Sequence, residues 1–343
     1  MFTSTKNMPI SVNRRCMIIR CEAGNGNHMA PRSSLSTVHR LIQEKGAIFI
    51  PGCYDALSAK LMERAGHDTA FVSGCAVSAT LLGEPDLGLL TAPEMARKVG
   101  QICTAAPSLT VLADADSGGG NVLNVQRTIK QLIASGAKGC FIEDKEWPKR
   151  PSAGNLRNDT VIAMEEFAGK VAAAREAIGD SDFFLVARTD ARGTSAKYGF
   201  EDAITRANLY TDAGANASFI QGPRTEEEMR QICKRTNGFR VGNMIEGGVT
   251  PLHSYEELKA MGFQIIIHPM SSIFAVTKAL ADVYGTLAKK GTTREDLSGL
   301  ATFDMFSDFV SKEEKFVTME RLTSRDKDDK LTVRVRAPGK PVS

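Results

Sequence analysis

Two aspartates, Asp114 and Asp116, stand two residues apart directly after the apolar run Leu109-Thr110-Val111-Leu112-Ala113. Carboxylates at that spacing beside a strand end point the same way, and a divalent cation relieves their repulsion. Mg²⁺ suits such a pair. It takes hard oxygen ligands and keeps several waters, so one direct carboxylate with others acting through water is enough. The competing reading is a solvated turn or a helix cap, both common uses of aspartate. Arg188 follows Phe183-Phe184-Leu185-Val186-Ala187. A guanidinium carried that deep needs an anion, either Asp190 or a bound carboxylate or phosphate. Glu143 and Asp144 follow Phe141-Ile142 in the same way, and Glu143 could act as a base or orient a water on the metal. His268 reads as a packed, hydrogen-bonded residue rather than a catalyst. Cys53 and Cys75 read as small apolar fillers, because nothing nearby in sequence supplies a base.

These groups meet only if the runs before them are strands that end on one face. Eight such runs, rich in Val, Ile and Phe, lie at 47–50, 69–72, 109–113, 139–142, 183–187, 217–220, 239–242 and 264–267. Near-continuous apolar character marks strands buried on both sides, as in a parallel sheet. Helical patterns at 124–135, 165–178, 201–213 and 254–261 lie between them and are stopped by Gly136, Gly179, Gly214 and Gly262. The alternation predicts an α/β fold, a (β/α)₈ TIM-type barrel, over an open doubly wound sheet. No GxGxxG turn follows the first run, and Gly118-Gly119-Gly120 lacks the Lys-Ser/Thr of a phosphate loop. A barrel builds its site at the carboxyl ends of its strands. Here those ends carry Asp55, Ser73, Asp114 with Asp116, Glu143 with Asp144, Arg188 with Asp190, Gln221, Asn243 with Glu246, and His268. Beyond the eighth run, 272–289 and 296–316 read as extra C-terminal helices with no strand to pair with, so an oligomer is expected.

Composition narrows the class. A formal charge of +3 and a 6% aromatic share argue against a nucleic-acid surface. No apolar run approaches the roughly 20 residues of a membrane span. Seven scattered cysteines without a CxxC pair point to a reducing compartment and away from disulfides or zinc. The leader, 1–34, carries Lys6, Arg14, Arg15, Arg20 and Arg32 against the single acid Glu22, the composition of an organelle transit peptide, here a chloroplast one. The expected division is therefore a leader at 1–34, a barrel with C-terminal helices at 35–322, and a disordered basic tail at 323–343.

The motifs together resemble the isocitrate lyase/phosphoenolpyruvate mutase superfamily, from Leu35 to about Phe316. The resemblance rests on Pro51-Gly52-Cys53-Tyr54-Asp55-Ala56, Phe71-Val72-Ser73-Gly74, Gly83-Glu84-Pro85-Asp86-Leu87-Gly88, Ala113-Asp114-Ala115-Asp116-Ser117-Gly118, Phe141-Ile142-Glu143-Asp144, Ala187-Arg188-Thr189-Asp190 and Asn243-Met244-Ile245-Glu246-Gly247. It implies a Mg²⁺-dependent enzyme for a small α-keto or α-hydroxy acid, working as a C–C lyase, decarboxylase or phosphonomutase through a metal-stabilised enolate. It also implies a homotetramer with one helix swapped between neighbours. Asp114 would match the direct metal ligand, with Asp86 and Asp116 holding its waters. Ser73, Gly74 and Cys75 would grip the substrate carboxylate, with Asn243 on the far side. Glu143 and Arg188 would steady the enolate oxygen, and Lys149 matches the catalytic flank.

Two departures stand out. Lyase members carry Lys-Lys/Arg-Cys-Gly-His after the fourth strand, where this chain reads Lys149-Arg150-Pro151-Ser152-Ala153. Proline has no donor and no titratable group, so it cannot replace a proton-giving thiol. Plant relatives have Glu-Ala-Pro-Arg where this chain has Gln221-Gly222-Pro223-Arg224. The alternative to an active enzyme is thus a catalytically weakened paralogue that binds a metabolite or forms an oligomer.

Overall fold

Every one of the eight apolar runs forms a strand in the computed structural model, which describes residues 35–147, 160–295 and 297–324. The strands are β1 (Ile48–Cys53), β2 (Thr69–Val72), β3 (Thr110–Asp114), β4 (Gly139–Glu143), β5 (Phe184–Thr189), β6 (Ala217–Ile220), β7 (Phe239–Asn243) and β8 (Ile265–His268). They pair in parallel and in chain order, and β1 pairs with β8 from Ile48↔Ile265 to Pro51↔His268 to close the barrel. The (β/α)₈ expectation holds. The expected leader at 1–34, the tail beyond 324, and the segment 148–159 with Lys149 and Pro151 lie outside the described residues.

Side chains alternate across each strand, and the core divides accordingly. Inside the barrel Ile48, Ile50, Phe71, Leu112, Phe141, Phe184, Val186, Phe219, Val241 and Ile267 pack as one plug. Their neighbours Val72, Val111, Ala113, Cys140, Ile142 and Leu185 face outward against the helices. Each fully buried large side chain contributes about 1.5–3 kcal/mol, so both layers hold the strand ends in place.

Helices follow the strands around the barrel, two of them after β2. They are α2 (Ala56–Arg64), α3 (Gly74–Leu81), α4 (Ala92–Ala105), α5 (Val122–Ala134), α6 (Met164–Ile178), α7 (Gly199–Asp212), α8 (Glu226–Arg235) and α9 (Tyr255–Met261). Ahead of them, α1 (Thr37–Lys45) adds Val38 and Ile42 to the inner plug. The Thr37 amide and hydroxyl both donate to Asp182, each at 2.7 Å. His39 sits edge-on to Phe184, with ring centres 4.9 Å apart.

Past the barrel, α10 (Ser271–Lys290) matches the expected helix at 272–289. The stretch expected to be helical at 296–316 carries helix in two pieces. It divides into α11 (Phe303–Phe309) and α12 (Lys312–Ser324), because Ser311 takes a left-handed backbone with φ 54°. A non-glycine residue there interrupts the helical hydrogen-bond ladder. Phe274, Leu280, Tyr284, Phe303, Phe306 and Phe316 on these helices are exposed.

Candidate active site

The two-residue period that builds the plug also builds the site. Phe71, Leu112, Phe141, Val186, Phe219 and Val241 face inward, and two residues further on stand Ser73, Asp114, Glu143, Arg188, Gln221 and Asn243. All six line one cavity of about 240 Å³ floored by Phe71, Phe141, Phe219 and Ile267. Asp86, from the loop between α3 and α4, and Cys75, from the first turn of α3, complete its wall.

Asp114 and Asp116 come together through Gly74. A Cβ at Gly74 would lie 2.9 Å from Asp114 Oδ2 and 3.4 Å from Asp116 Oδ1, so only glycine leaves room for both carboxylates. The Gly74 amide donates to Asp114 Oδ2 at 3.3 Å, and the Asp116 amide donates to Asp114 Oδ1 at 3.1 Å. Asp116 itself has φ 50°, an uncommon state for a non-glycine residue. Its carbonyl accepts from the Glu143 amide at 2.8 Å, which ties this turn to β4. Among the described residues no group of three or more His, Cys, Asp or Glu side chains is arranged to hold an ion directly. The donors at hand are hard carboxylate oxygens beside an open cavity, which fits an ion that keeps most of its waters.

Arg188 is the cationic counterpart. Its Nε and Nη2 donate to Asp190 Oδ2 and Oδ1, both at 2.8 Å, and its Nη1 lies 3.3 Å from Glu143 Oε2. Its guanidinium carbon is 5.3 Å from the centre of the Phe219 ring. Burial alone would favour loss of the proton, but the charges of Asp190, Glu143 and Asp114 hold the guanidinium well above its ordinary value. Asp190 is held low despite burial, by Arg188 and by Lys145, whose Nζ is 3.4 Å away. The anion that Arg188 requires is therefore Asp190, with one edge of the guanidinium still turned to Glu143 and the cavity.

Other strand-end residues separate from this group. Asp55 caps α2, accepting from the Ser58 amide at 2.7 Å. His268 lies 3.9 Å from Glu246, beside the Phe49 ring and outside the cavity lining, as expected of a packed histidine. Burial lowers its proton affinity, against the charge of Glu246. Cys53 is buried and its thiol is pushed up to about 12 by burial and then by Asp55, in keeping with a filler. Cys75, by contrast, faces the cavity. Asn243 Nδ2 donates to Gln221 Oε1 at 3.1 Å, while Asn243 Oδ1 is buried without a hydrogen bond among the described residues.

Two features escaped the sequence reading. One is a cavity of about 280 Å³ between α4 and α5, walled by Asp114, Asp116, Met95, Thr128, Leu132 and Trp147. The other is a buried polar cluster in which Asp144 meets Arg206 and Tyr210 of α7. Arg206 and Tyr210 are one helical turn apart, so polar groups on the buried face of an amphipathic helix were the available signal.

Comparison with known proteins gives the same picture. Residues 38–288 match the family model described as phosphoenolpyruvate phosphomutase. The chain is 57% identical over 278 residues to the Arabidopsis thaliana protein named carboxyvinyl-carboxyphosphonate phosphorylmutase, chloroplastic, covering 81% of each chain. It is 37% identical over 281 residues to the 2,3-dimethylmalate lyase of Eubacterium barkeri, covering 82% of this chain and 95% of that one. A solved phosphonopyruvate hydrolase in complex with oxalate and Mg²⁺ superposes with a TM-score of 0.72 at 27% identity, covering 83% and 97% of the two chains. The eight-stranded barrel, the polar ring on its plug and these likenesses agree, and the chain belongs to the phosphoenolpyruvate mutase/isocitrate lyase family of lyases and phosphorylmutases that act on small carboxylates.

Proposed function

We propose that this protein is a Mg²⁺-dependent enzyme for a small α-keto or α-hydroxy acid, working through an enolate as a C–C lyase, decarboxylase or phosphonomutase. The observation that carries this reading is that Asp114 and Arg188 line the same small cavity, which puts an anionic donor set and a cation around one reacting group. At about 240 Å³ the space suits an acid of a few carbons, since drug-sized pockets begin near ~300 Å³.

Asp114 would hold Mg²⁺ directly, and Asp86 and Asp116 would hold its waters. The ion supplies Lewis acidity toward the oxygens of the bound acid. Ser73, Gly74 and Cys75 begin α3, and amides at a helix start favour a carboxylate. Asn243 closes the far side. Arg188 takes the oxygen on which negative charge grows, and Glu143 orients that guanidinium edge. Each such donor is worth roughly 3–4 kcal/mol of barrier by analogy with oxyanion sites. Lys149 would serve from the flank of the β4–α6 connection.

Decarboxylation is the branch this chain suits best, because it needs the enolate stabilised but does not need the thiol that Pro151 replaces. Pro151 and Gln221 favour a second reading, a weakened paralogue kept for metabolite binding or assembly. The acid-poor leader and the chloroplastic name of the Arabidopsis relative support plastid import, with 1–34 as leader, 35–322 as barrel and 323–343 as tail. The exposed aromatic residues of α10 to α12 support a homotetramer. Among the described residues no helix is long and apolar enough to cross a membrane, and the partners proposed are small acids and further copies of the chain.

The test is an NMR turnover screen of the purified protein, with Mg²⁺ and with EDTA. The panel is oxaloacetate, 2-methylisocitrate, 2,3-dimethylmalate, phosphoenolpyruvate and phosphonopyruvate. Mg²⁺-dependent conversion of one acid is expected. Oxalate binding with no turnover of any acid would move the assignment to the weakened paralogue.

A further inference from the structure

Asp144 does not line the cavity, yet it is completely buried and every oxygen it carries is engaged. Its Oδ1 accepts from the Asp190 amide at 3.0 Å. Its Oδ2 accepts from the Tyr210 hydroxyl at 2.8 Å and from Arg206 Nη1 at 3.2 Å. The Asp144 amide donates to the Arg188 carbonyl at 3.2 Å, and its own carbonyl accepts from the Ile162 amide at 2.9 Å. Arg206 Nη1 also donates to the Ile162 carbonyl at 2.8 Å. One carboxylate therefore ties the end of β4, the start of the turn after β5, and α7.

A buried anion is costly unless it is paired, so a cluster of this completeness needs a reason. Asp190 provides it. Its backbone is fixed by Asp144 and its side chain grips Arg188 with two bonds, so displacement of the Asp190 amide turns the guanidinium that faces the cavity. We propose that Asp144, held by Tyr210 and Arg206, is a positioning residue that sets the orientation of Arg188 through Asp190. Arg188's part in the chemistry rests on the function proposed above; the mechanical link does not.

The groups around Asp144 set its pH response. Tyr210 and Arg206 face it from α7, Asp190 and Thr189 from the end of β5, and Lys145 adjoins it in the chain. Burial, and then the charge of Asp190, push its carboxyl up to about 6, while the Tyr210 hydroxyl pulls it down. Protonated Asp144 offers a donor where Tyr210 and Arg206 need an acceptor. Loss of the Tyr210 hydroxyl raises the Asp144 pKa further, so the point at which Arg188 loosens moves to higher pH.

Asp144→Asn strips buried Arg206 of one of its two anions and leaves it only Asp202, so the sharper variant is Tyr210→Phe, which deletes one hydroxyl. Two readouts apply. In protein labelled with ¹⁵N-arginine, exchange of the Arg188 Nε proton, followed from about pH 5 to 8, should be at least ~10-fold faster in the variant, the scale of one hydrogen bond to a charged group. Its onset on acidification should fall at higher pH than in wild type. Calorimetry with oxalate and Mg²⁺ should show affinity reduced by a similar factor of about 10. Unchanged exchange and an unchanged pH onset would overturn the proposal, whatever happens to the melting temperature. Absence of oxalate binding in the wild type would count against the proposed function alone, because the exchange experiment needs no ligand.

Discussion

Replacing Gly74 by alanine separates the proposed metal site from the fold. The new Cβ would stand 2.9 Å from Asp114 Oδ2 and 3.4 Å from Asp116 Oδ1. Ordinary contact begins near 3.4 Å, so Asp114 must retreat by about half an ångström, and its 3.3 Å bond from the Gly74 amide is lost. Mg²⁺ demands near-ideal octahedral geometry at about 2.0–2.1 Å, and a shift of that size breaks it. Loss of ligand support costs about 10- to 100-fold in metal affinity, equal to roughly 1.4–2.8 kcal/mol. The fold feels little, because the clash falls on side-chain oxygens and alanine in a helix is favoured over glycine by about 0.5–1 kcal/mol. The assay is calorimetric titration with Mg²⁺ alone, beside thermal unfolding of the metal-free protein. Weaker binding with a melting temperature within about 4 °C of wild type is expected, on the scale of 2–4 °C per kcal/mol for a chain this large. Unchanged Mg²⁺ affinity would mean that the displaced carboxylates are not ligands.

Other outcomes follow from the same geometry. Gln221→Glu adds a negative charge to the cavity wall and should raise Mg²⁺ affinity about 10-fold; an unchanged titration would place Gln221 outside the ion's reach. Cys75 faces the cavity while Cys53 and Cys140 are buried, so iodoacetamide should label Cys75 ahead of those two, and Mg²⁺ with oxalate should slow it. Mass spectrometry showing no such protection would remove Cys75 from the binding wall. Burial, and then the charge of Arg175, lower the pKa of His39 below 6.5, so between its folded value and 6.5 the unfolded chain binds more protons. Stability therefore rises with pH across that window, is fully present above about 6.5, and is lost as pH falls through the folded value. Urea unfolding at about pH 5.5 and 7.5 should show a shallower rise in His39→Gln than in wild type; an equal rise would assign the effect to other groups.

Much of this was legible because a barrel converts sequence order into position. The period of two that makes Phe71, Phe141 and Phe219 a plug necessarily sends Ser73, Glu143 and Gln221 to its rim. Strand ends shifted by a residue or two, as at β5, which runs to Thr189, because polar residues continue the ladder as well as apolar ones do. The break at Ser311 was hidden, since nothing in a serine announces a left-handed backbone. Beside Glu143 in sequence, Asp144 looks like a second rim residue, but the strand's alternation turns it away toward α7. Its partners, Arg206 and Tyr210, lie some sixty residues away, and only the packing of α7 on the barrel brings them together. The paired role of Gln221 and Asn243 was equally unreadable, because it depends on the register of β6 against β7.

The most direct test of the central claim is calorimetry of oxalate binding, with and without Mg²⁺, in wild type and in Asp114→Ala. Wild type should bind oxalate only when Mg²⁺ is present, and Asp114→Ala should lose both ligands while keeping its fold by circular dichroism. Oxalate and Mg²⁺ binding that survive in Asp114→Ala at wild-type affinity would contradict that claim.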